Sequence, residues 1–290
     1  MATASVSRFR AAVVQAAPVQ AASVIFDLQS TLAKVRSLTE RAAGSGATLV
    51  VFPEAFVGGY PKGIEFASRG GNRASEMQRL FRRYAEGAME IPGPGTEVLG
   101  SIARDCGVYL VIGVVEREGG TLYRTVMFFS PEGAVMGRSR SRTLTAGETQ
   151  IWGQGIEAPS PVFDTPLGRL GGPIGPEGEG PLAGAAVRRK GIQIYCVPTV
   201  DDREAWVASM RKLAFEGQCF VLSAGQFMRV ADCPPEYPAA VGNEPERALI
   251  HGGSVIVSPA GVVLAGPDFA GEAILTAELD LSGGSEGWVV

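Results

Sequence analysis

The sequence predicts an α/β fold: a mixed β-sheet core covered by helices on at least one face. Three observations predict it. Short apolar runs of strand length alternate with stretches of helical period. Two later pairs of runs are joined by the Pro- and Gly-containing turns that make hairpins. No polar linker and no short tandem repeat interrupts the 290 residues, so one domain is expected, with its core from about Arg10 to Asp280.

The elements follow in order. Ala11–Gln15 reads as a first strand. Leu28 to Ala43 reads as a helix, with Leu28, Leu32, Val35 and Leu38 at three- and four-residue spacing. Thr48–Phe52 is a largely apolar strand bounded by Gly46 and Pro53. A helical stretch around Val98 to Arg104 leads into the apolar run Val108–Val115. Leu122–Ser130 and Ala134–Gly137 pair across a turn at Pro131-Glu132-Gly133. Gly191–Pro198, a helix from about Asp202 to Glu216 and Cys219–Ser223 form a β–α–β unit. Ser254–Ser258 and Val262–Leu264 close a second hairpin around Pro259-Ala260-Gly261. The stretch Pro234 to Arg247, rich in Pro, Glu and Ala, reads as a long surface loop.

Composition narrows the function. A hydrophobic content of 46% with 19% charged residues suits a soluble chain with a sizeable core. The net charge of −4 predicts no general attraction to nucleic acid or to an acidic membrane surface. No apolar run is long enough to span a membrane, and the N-terminus has no secretory pattern. The four cysteines (Cys106, Cys196, Cys219, Cys233) are scattered without metal-ligand spacing, which predicts no metal, no disulfide framework and a reducing, cytoplasmic setting. The only lysines are Lys34, Lys62, Lys190 and Lys212, so a catalytic lysine has few candidates. His251 is the only histidine, and beside Gly252-Gly253 it reads as a loop or strand-edge residue.

Several motifs carry chemistry. Phe52-Pro-Glu54-Ala-Phe-Val-Gly-Gly-Tyr60 places a carboxylate where the second strand ends, the edge at which α/β sheets build their sites. The same acid would serve equally well as a helix cap. Further segments follow: Thr121-Leu-Tyr123, Glu148-Thr-Gln-Ile-Trp152-Gly-Gln-Gly155, Pro161–Pro166, Asp201–Ser223 with Trp206 and Met210, and Val263–Pro267. Trp206 and Met210 lie four apart on one predicted helix and read as core or subunit-interface packing.

In this order and spacing the segments resemble the nitrilase family of carbon–nitrogen hydrolases, in its plant and bacterial type acting on cyanoalanine, aromatic or aliphatic nitriles. The resemblance runs from about Arg10 to Asp280. It implies a four-layer α-β-β-α sandwich with two mixed sheets inside and helices outside. It also implies a cofactor-free hydrolysis of a nitrile to acid and ammonia through a cysteine thioimidate, in which a glutamate moves protons, a lysine stabilises the tetrahedral intermediate and a second glutamate supports the site. Glu54 matches the first glutamate and Glu148 the second. Tyr60 and Trp152, each next to one of the acidic motifs, are candidates to line the pocket for a small nitrile or amide-like ligand.

The sequence departs from the family at the remaining positions. The lysine motif reads Gly137-Arg-Ser-Arg-Ser141-Arg142, and counting to Trp152 puts the lysine position on Ser141. Strand alternation points Arg140 and Arg142 away from the face of Ser141. The nucleophile motif reads Pro173-Ile-Gly175-Pro176-Glu177, so Gly175 stands where the family has cysteine, with Glu177 keeping the acid two residues on. Pro176 has no amide hydrogen to offer an oxyanion. Lost or strongly impaired hydrolysis is therefore expected, with the chain acting as a binding or oligomer subunit. The alternative is a carboxylate-based hydrolase of amides or esters using Glu54, Glu148 and Glu177. Relatives continue past the position of Leu281 with an interface segment, whereas this chain ends at Val290, so a homodimer is expected rather than a helical filament.

Overall fold

Two six-stranded mixed sheets and a two-stranded ribbon form the scaffold of the described residues. The computed structural model describes residues 8–15, 25–64, 72–156, 161–174, 183–234 and 244–281. The first sheet contains β1 (Arg8–Gln15), β2 (Leu49–Val51), β3 (Tyr109–Glu118), β4 (Thr121–Phe129), β5 (Val135–Arg140) and, at the edge beside β1, β14 (Ala273–Asp280). The second contains β6 (Val162–Thr165), β7 (Gly168–Gly171), β8 (Ile194–Thr199), β9 (Phe220–Gly225), β12 (Ser254–Val257) and β13 (Val263–Asp268) in the order β13-β12-β9-β8-β7-β6. The ribbon pairs β10 (Phe227–Arg229) with β11 (Ala248–His251).

Each sheet has the same joints. β1, β2 and β3 run parallel, and so do β7, β8 and β9, while every other neighbour is antiparallel. Parallel neighbours need a crossover connection, and helices supply them: α1 (Leu28–Gly44) between β1 and β2, α2 (Asn72–Glu86) and α3 (Pro94–Cys106) before β3, α4 (Ala183–Arg189) before β8, and α5 (Glu204–Gly217) before β9. Local signals fix the helix ends. Asp27 caps α1 by accepting from the Ser30 N–H at 3.0 Å. Pro94 opens α3, and Gly107 closes it in the left-handed conformation at φ 63°.

Strand alternation sorts the apolar side chains into layers. Val50, Leu110, Ile112 and Met127 pack outward against Leu32, Val35 and Leu38 of α1 and Leu99 and Ile102 of α3. Their neighbours Leu49, Val51, Val111, Val126 and Phe128 face the other way and meet Ile194, Cys196, Leu222 and Ile256 of the second sheet. Tyr195, Val197, Val221 and Val255 then pack outward under Trp206, Met210 and Leu213 of α5. The result is the α-β-β-α sandwich that the resemblance implied.

Several elements were not anticipated, among them the short helix α4, the β10–β11 ribbon and the three that follow. α2 is polar and arginine-rich, and its buried side (Met77, Leu80, Tyr84) is narrow. The β6–β7 hairpin is short, with a Gly-rich second strand. β14 pairs along the whole of β1, but as an edge strand it stays mostly half-exposed and lacks the continuous apolar run that marked the central strands.

Candidate active site

The site forms where the chain leaves β2. Glu54 follows Phe52-Pro53 and is fully buried. The loop lies on β3: the Gly113 N–H donates to Pro53 O at 3.1 Å, and the Val57 N–H donates back to Gly113 O at 3.2 Å. Only glycine fits there, because a Cβ on Gly113 would lie 2.4 Å from Pro53 O and 2.5 Å from the Glu54 Cα. Ala55 takes a left-handed conformation at φ 49° to make the turn, a local strain of a kind that clusters at functional sites.

Arg124 from β4 meets Glu54. Its Nη1 donates to Glu54 Oε1 at 2.6 Å and lies 2.7 Å from Glu148 Oε1. Glu148 opens a short 3-10 turn and exchanges bonds with Thr145: its Oε2 accepts the Thr145 N–H at 2.7 Å, and its own N–H donates to Thr145 Oγ1 at 3.4 Å. The Tyr60 hydroxyl donates to Glu148 Oε1 at 3.2 Å. The Tyr60 ring lies 5.3 Å from that of Trp152, and the Arg124 guanidinium lies 5.0 Å over the Trp152 ring. The structure thus brings Glu54, Glu148, Tyr60 and Trp152 together.

Burial dominates the protonation of Glu54. Removal from water pushes its carboxyl up to about 7; Arg124 and the Val200 N–H favour the ionised form, and Glu148 repels it. Oε2 of Glu54 has no hydrogen-bond partner of ordinary geometry. Such a carboxyl can take or give a proton near neutrality. Burial and the neighbouring Glu148 likewise raise the Tyr60 phenol, so it is a neutral donor.

Ser141 lies just past β5 and is buried. Its N–H donates to Arg124 O at 2.8 Å, its Oγ accepts from Arg124 Nη2 at 3.3 Å, and its hydroxyl donates to Thr143 O at 3.2 Å. With its proton held by a carbonyl rather than a base, that hydroxyl is a weak nucleophile. Arg140 turns to Glu116 and Glu118, with bonds of 2.6, 3.0 and 3.1 Å. Arg142 is exposed and lines a cavity of about 230 Å³ with Pro173, Arg189 and Lys190. Gly175, Pro176 and Glu177 lie outside the described residues.

All four thiols are free. Cys196 is buried between the sheets and its thiol is pushed far up by burial; Cys219 and Cys233 are pushed up to about 12. Burial raises Cys106 as well. None is a ready thiolate. His251 ends β11, where its Nδ1 and backbone N–H both meet Asp202 Oδ2, at 2.7 and 3.0 Å.

Arg124 is the residue that sequence reasoning missed. Its signal was an arginine in the inward row Leu122, Arg124, Val126, Phe128, where a cation needs a buried anion.

Comparison with known proteins then adds the lineage. Residues 10–286 match the model of the family described as carbon-nitrogen hydrolase. The bifunctional nitrilase/nitrile hydratase NIT4A of Lupinus angustifolius is 48% identical over 280 residues, covering 95% of this chain and 80% of that protein. The aliphatic nitrilase of Sinorhizobium fredii (strain HH103) is 46% identical over 274 residues, covering 94% and 87%. Among solved structures, a double mutant of the amidase from Nesterenkonia sp. AN1 in complex with acrylamide superposes with a TM-score of 0.72 at 22% identity, covering 99% of this chain and 97% of that one. At that identity the likeness concerns the fold.

Proposed function

Because the chain belongs to the carbon–nitrogen hydrolase family, with nitrilases among its relatives, we propose that it is a nitrilase-type protein whose hydrolysis is lost or strongly impaired and that binds a small, neutral nitrile or amide-like molecule. One contrast supports this reading: the described residues assemble the acid–base half of the site, while the sequence carries glycine at the position of the nucleophile. Glu54, Arg124, Glu148 and Tyr60 are in contact, whereas Ser141 gives its proton to a carbonyl and Gly175 has no side chain to attack with. Losing a nucleophile costs on the order of a millionfold in rate, and Pro176 in place of an amide donor adds a loss of about a hundred- to a thousandfold taken alone. The charges of Glu54, Glu148 and Arg124 sum to zero or minus one according to the proton on Glu54, which disfavours an anionic ligand. A cofactor-free homodimer in the cytoplasm, without nucleic-acid or membrane partners, completes the proposal.

The test is ammonia release from a panel of nitriles and primary amides by the purified protein. The expected result is release at the background rate. Turnover well above background that survives replacement of all four cysteines would sink the reading.

A second reading rests on the elevated pKa of Glu54, about 7: water activated by the carboxylates attacks an amide or ester, with Glu148 and Glu177 in support. It predicts that Glu54→Gln abolishes any such activity. An unchanged rate rejects it.

A further inference from the structure

We propose that Arg124 is the positioning cation of this site, clamping Glu54 and Glu148 together and filling the room beside residue 141 so that a second cation there is excluded. The proposal rests on the reading of Glu54 and Glu148 as the acid–base pair, but not on whether the chain turns substrate over.

The donor count supports it. A guanidinium offers five N–H groups in a fixed fork. Nη1 serves Glu54 Oε1 and Glu148 Oε1 at 2.6 and 2.7 Å, and Nη2 serves Ser141 Oγ and Thr143 O at 3.3 and 3.0 Å. Three hydrogen bonds and one close ion pair thereby occupy both terminal nitrogens, and the remaining Nε–H is buried without a partner. The side chain is about as buried as Glu54 itself, with 1% exposed in each, and it is held over the Trp152 ring. A cation this desolvated persists only where paired anions hold it, and here both carboxylates lie within 2.7 Å of the same Nη1. Lysine, a compact point charge on a flexible stem, cannot reproduce the fork. The contact with Ser141 sets the exclusion: an ammonium reaching from 141 toward Glu54 would meet the guanidinium at contact distance, with little water to screen the repulsion.

The groups acting on Glu54 are Arg124 from β4, Glu148 from the 3-10 turn and the Val200 N–H, and the Glu54 charge in turn raises the phenols of Tyr60 and of Tyr84 on α2. Arg124 is the only cation among the causes acting on Glu54, so losing that cation should move the Glu54 titration upward.

Two measurements on the full chain test this. In the first, carbon-13 NMR follows the glutamate carboxyls against pH, with Glu54 assigned by its loss in Glu54→Gln. The expected result is a Glu54 midpoint that rises by a unit or more in Arg124→Gln and returns partway in Arg124→Lys. An unmoved midpoint in folded Arg124→Gln overturns the proposal. The second does not require Arg124→Gln to fold alone: Ser141→Lys is compared with Ser141→Lys/Arg124→Gln in thermal melts. Ser141→Lys should lower Tm by several degrees and the second change should restore part of it. A Ser141→Lys protein as stable as the parent, or a double variant that melts no higher than Ser141→Lys, overturns the exclusion. Ammonia release by the unmodified chain would overturn the loss of hydrolysis while leaving both measurements standing.

Discussion

At the scale of single residues, Glu54 gives the clearest consequence. Its carboxyl titrates at about 7 in the folded chain against 4.5 for an ordinary glutamate. Between those values the folded protein keeps a proton that the unfolded chain has lost. The stability from burying a neutral Glu54 is therefore fully present below about pH 4.5, is lost as the pH rises to about 7, and changes little beyond. Over that window the loss is on the order of 3 kcal/mol. Glu54→Gln stays neutral at every pH and keeps an oxygen for Arg124. Urea unfolding at a series of pH values should show the variant gaining on the parent by about that amount as the pH passes from about 4.5 to 7. A difference that stays level across the window would contradict the elevated pKa. The same residue shows how far sequence reasoning reached. Phe52-Pro-Glu54 and Glu148 could be marked as acids at strand and loop ends, but their electrostatics depend on Arg124. That residue sits about seventy positions from Glu54 in the chain, and no local pattern announces such a pair.

At the scale of elements, what was legible was what repeats. The central strands, the α1 and α5 helices and both predicted hairpins carry a period of two or 3.6 in their apolar residues, because each buries a face. α2 and β14 were not legible, because much of their surface faces water and their order depends on neighbours distant in sequence. The join between β3 and the Glu54 loop is another such tertiary fact. Gly113 lies in an apolar run and looks like a replaceable strand residue. In the fold, its missing side chain is what lets Pro53, Glu54 and Ala55 lie across the strand, with the Ala55 N only 2.7 Å from where a Cβ would be. Gly113→Ala must move the backbone of that loop rather than a flexible side chain. It should destabilise by about 2–4 kcal/mol, in the range of overpacked cores and strained backbones, and should also weaken the Arg124–Glu54 bond. Chemical denaturation gives the first quantity, and the Glu54 carboxyl titration reads the second. A variant as stable as the parent would mean that the loop is not held against the strand.

At the scale of the whole molecule, the question is whether the two sheets act as one folding unit. Their shared central layer argues that they do, since the inward rows of both sheets bury the same surface and neither sheet has another cover on that side. Two tryptophans report on opposite ends of the stack. Trp152 packs at the site over Arg124, beside the first sheet, and Trp206 lies under α5 with its Nε1 donating to Ser223 Oγ at 2.8 Å, on the far side of the second sheet. In a Trp288→Phe background, which removes the tryptophan outside the described residues, Trp152→Phe and Trp206→Phe each leave one reporter. Urea unfolding followed by either should, after allowance for the stability change of each substitution, give one midpoint that coincides with the circular dichroism midpoint. Leu222→Ala then probes the shared layer itself. Leu222 is fully buried on β9 and faces the first sheet, so its truncation should cost about 2–5 kcal/mol and should lower both tryptophan transitions together. If the Trp206 transition moved while the Trp152 transition stayed in place, each sheet would have to be stabilised by its own helices, and the central layer would be an interface between two units rather than one core.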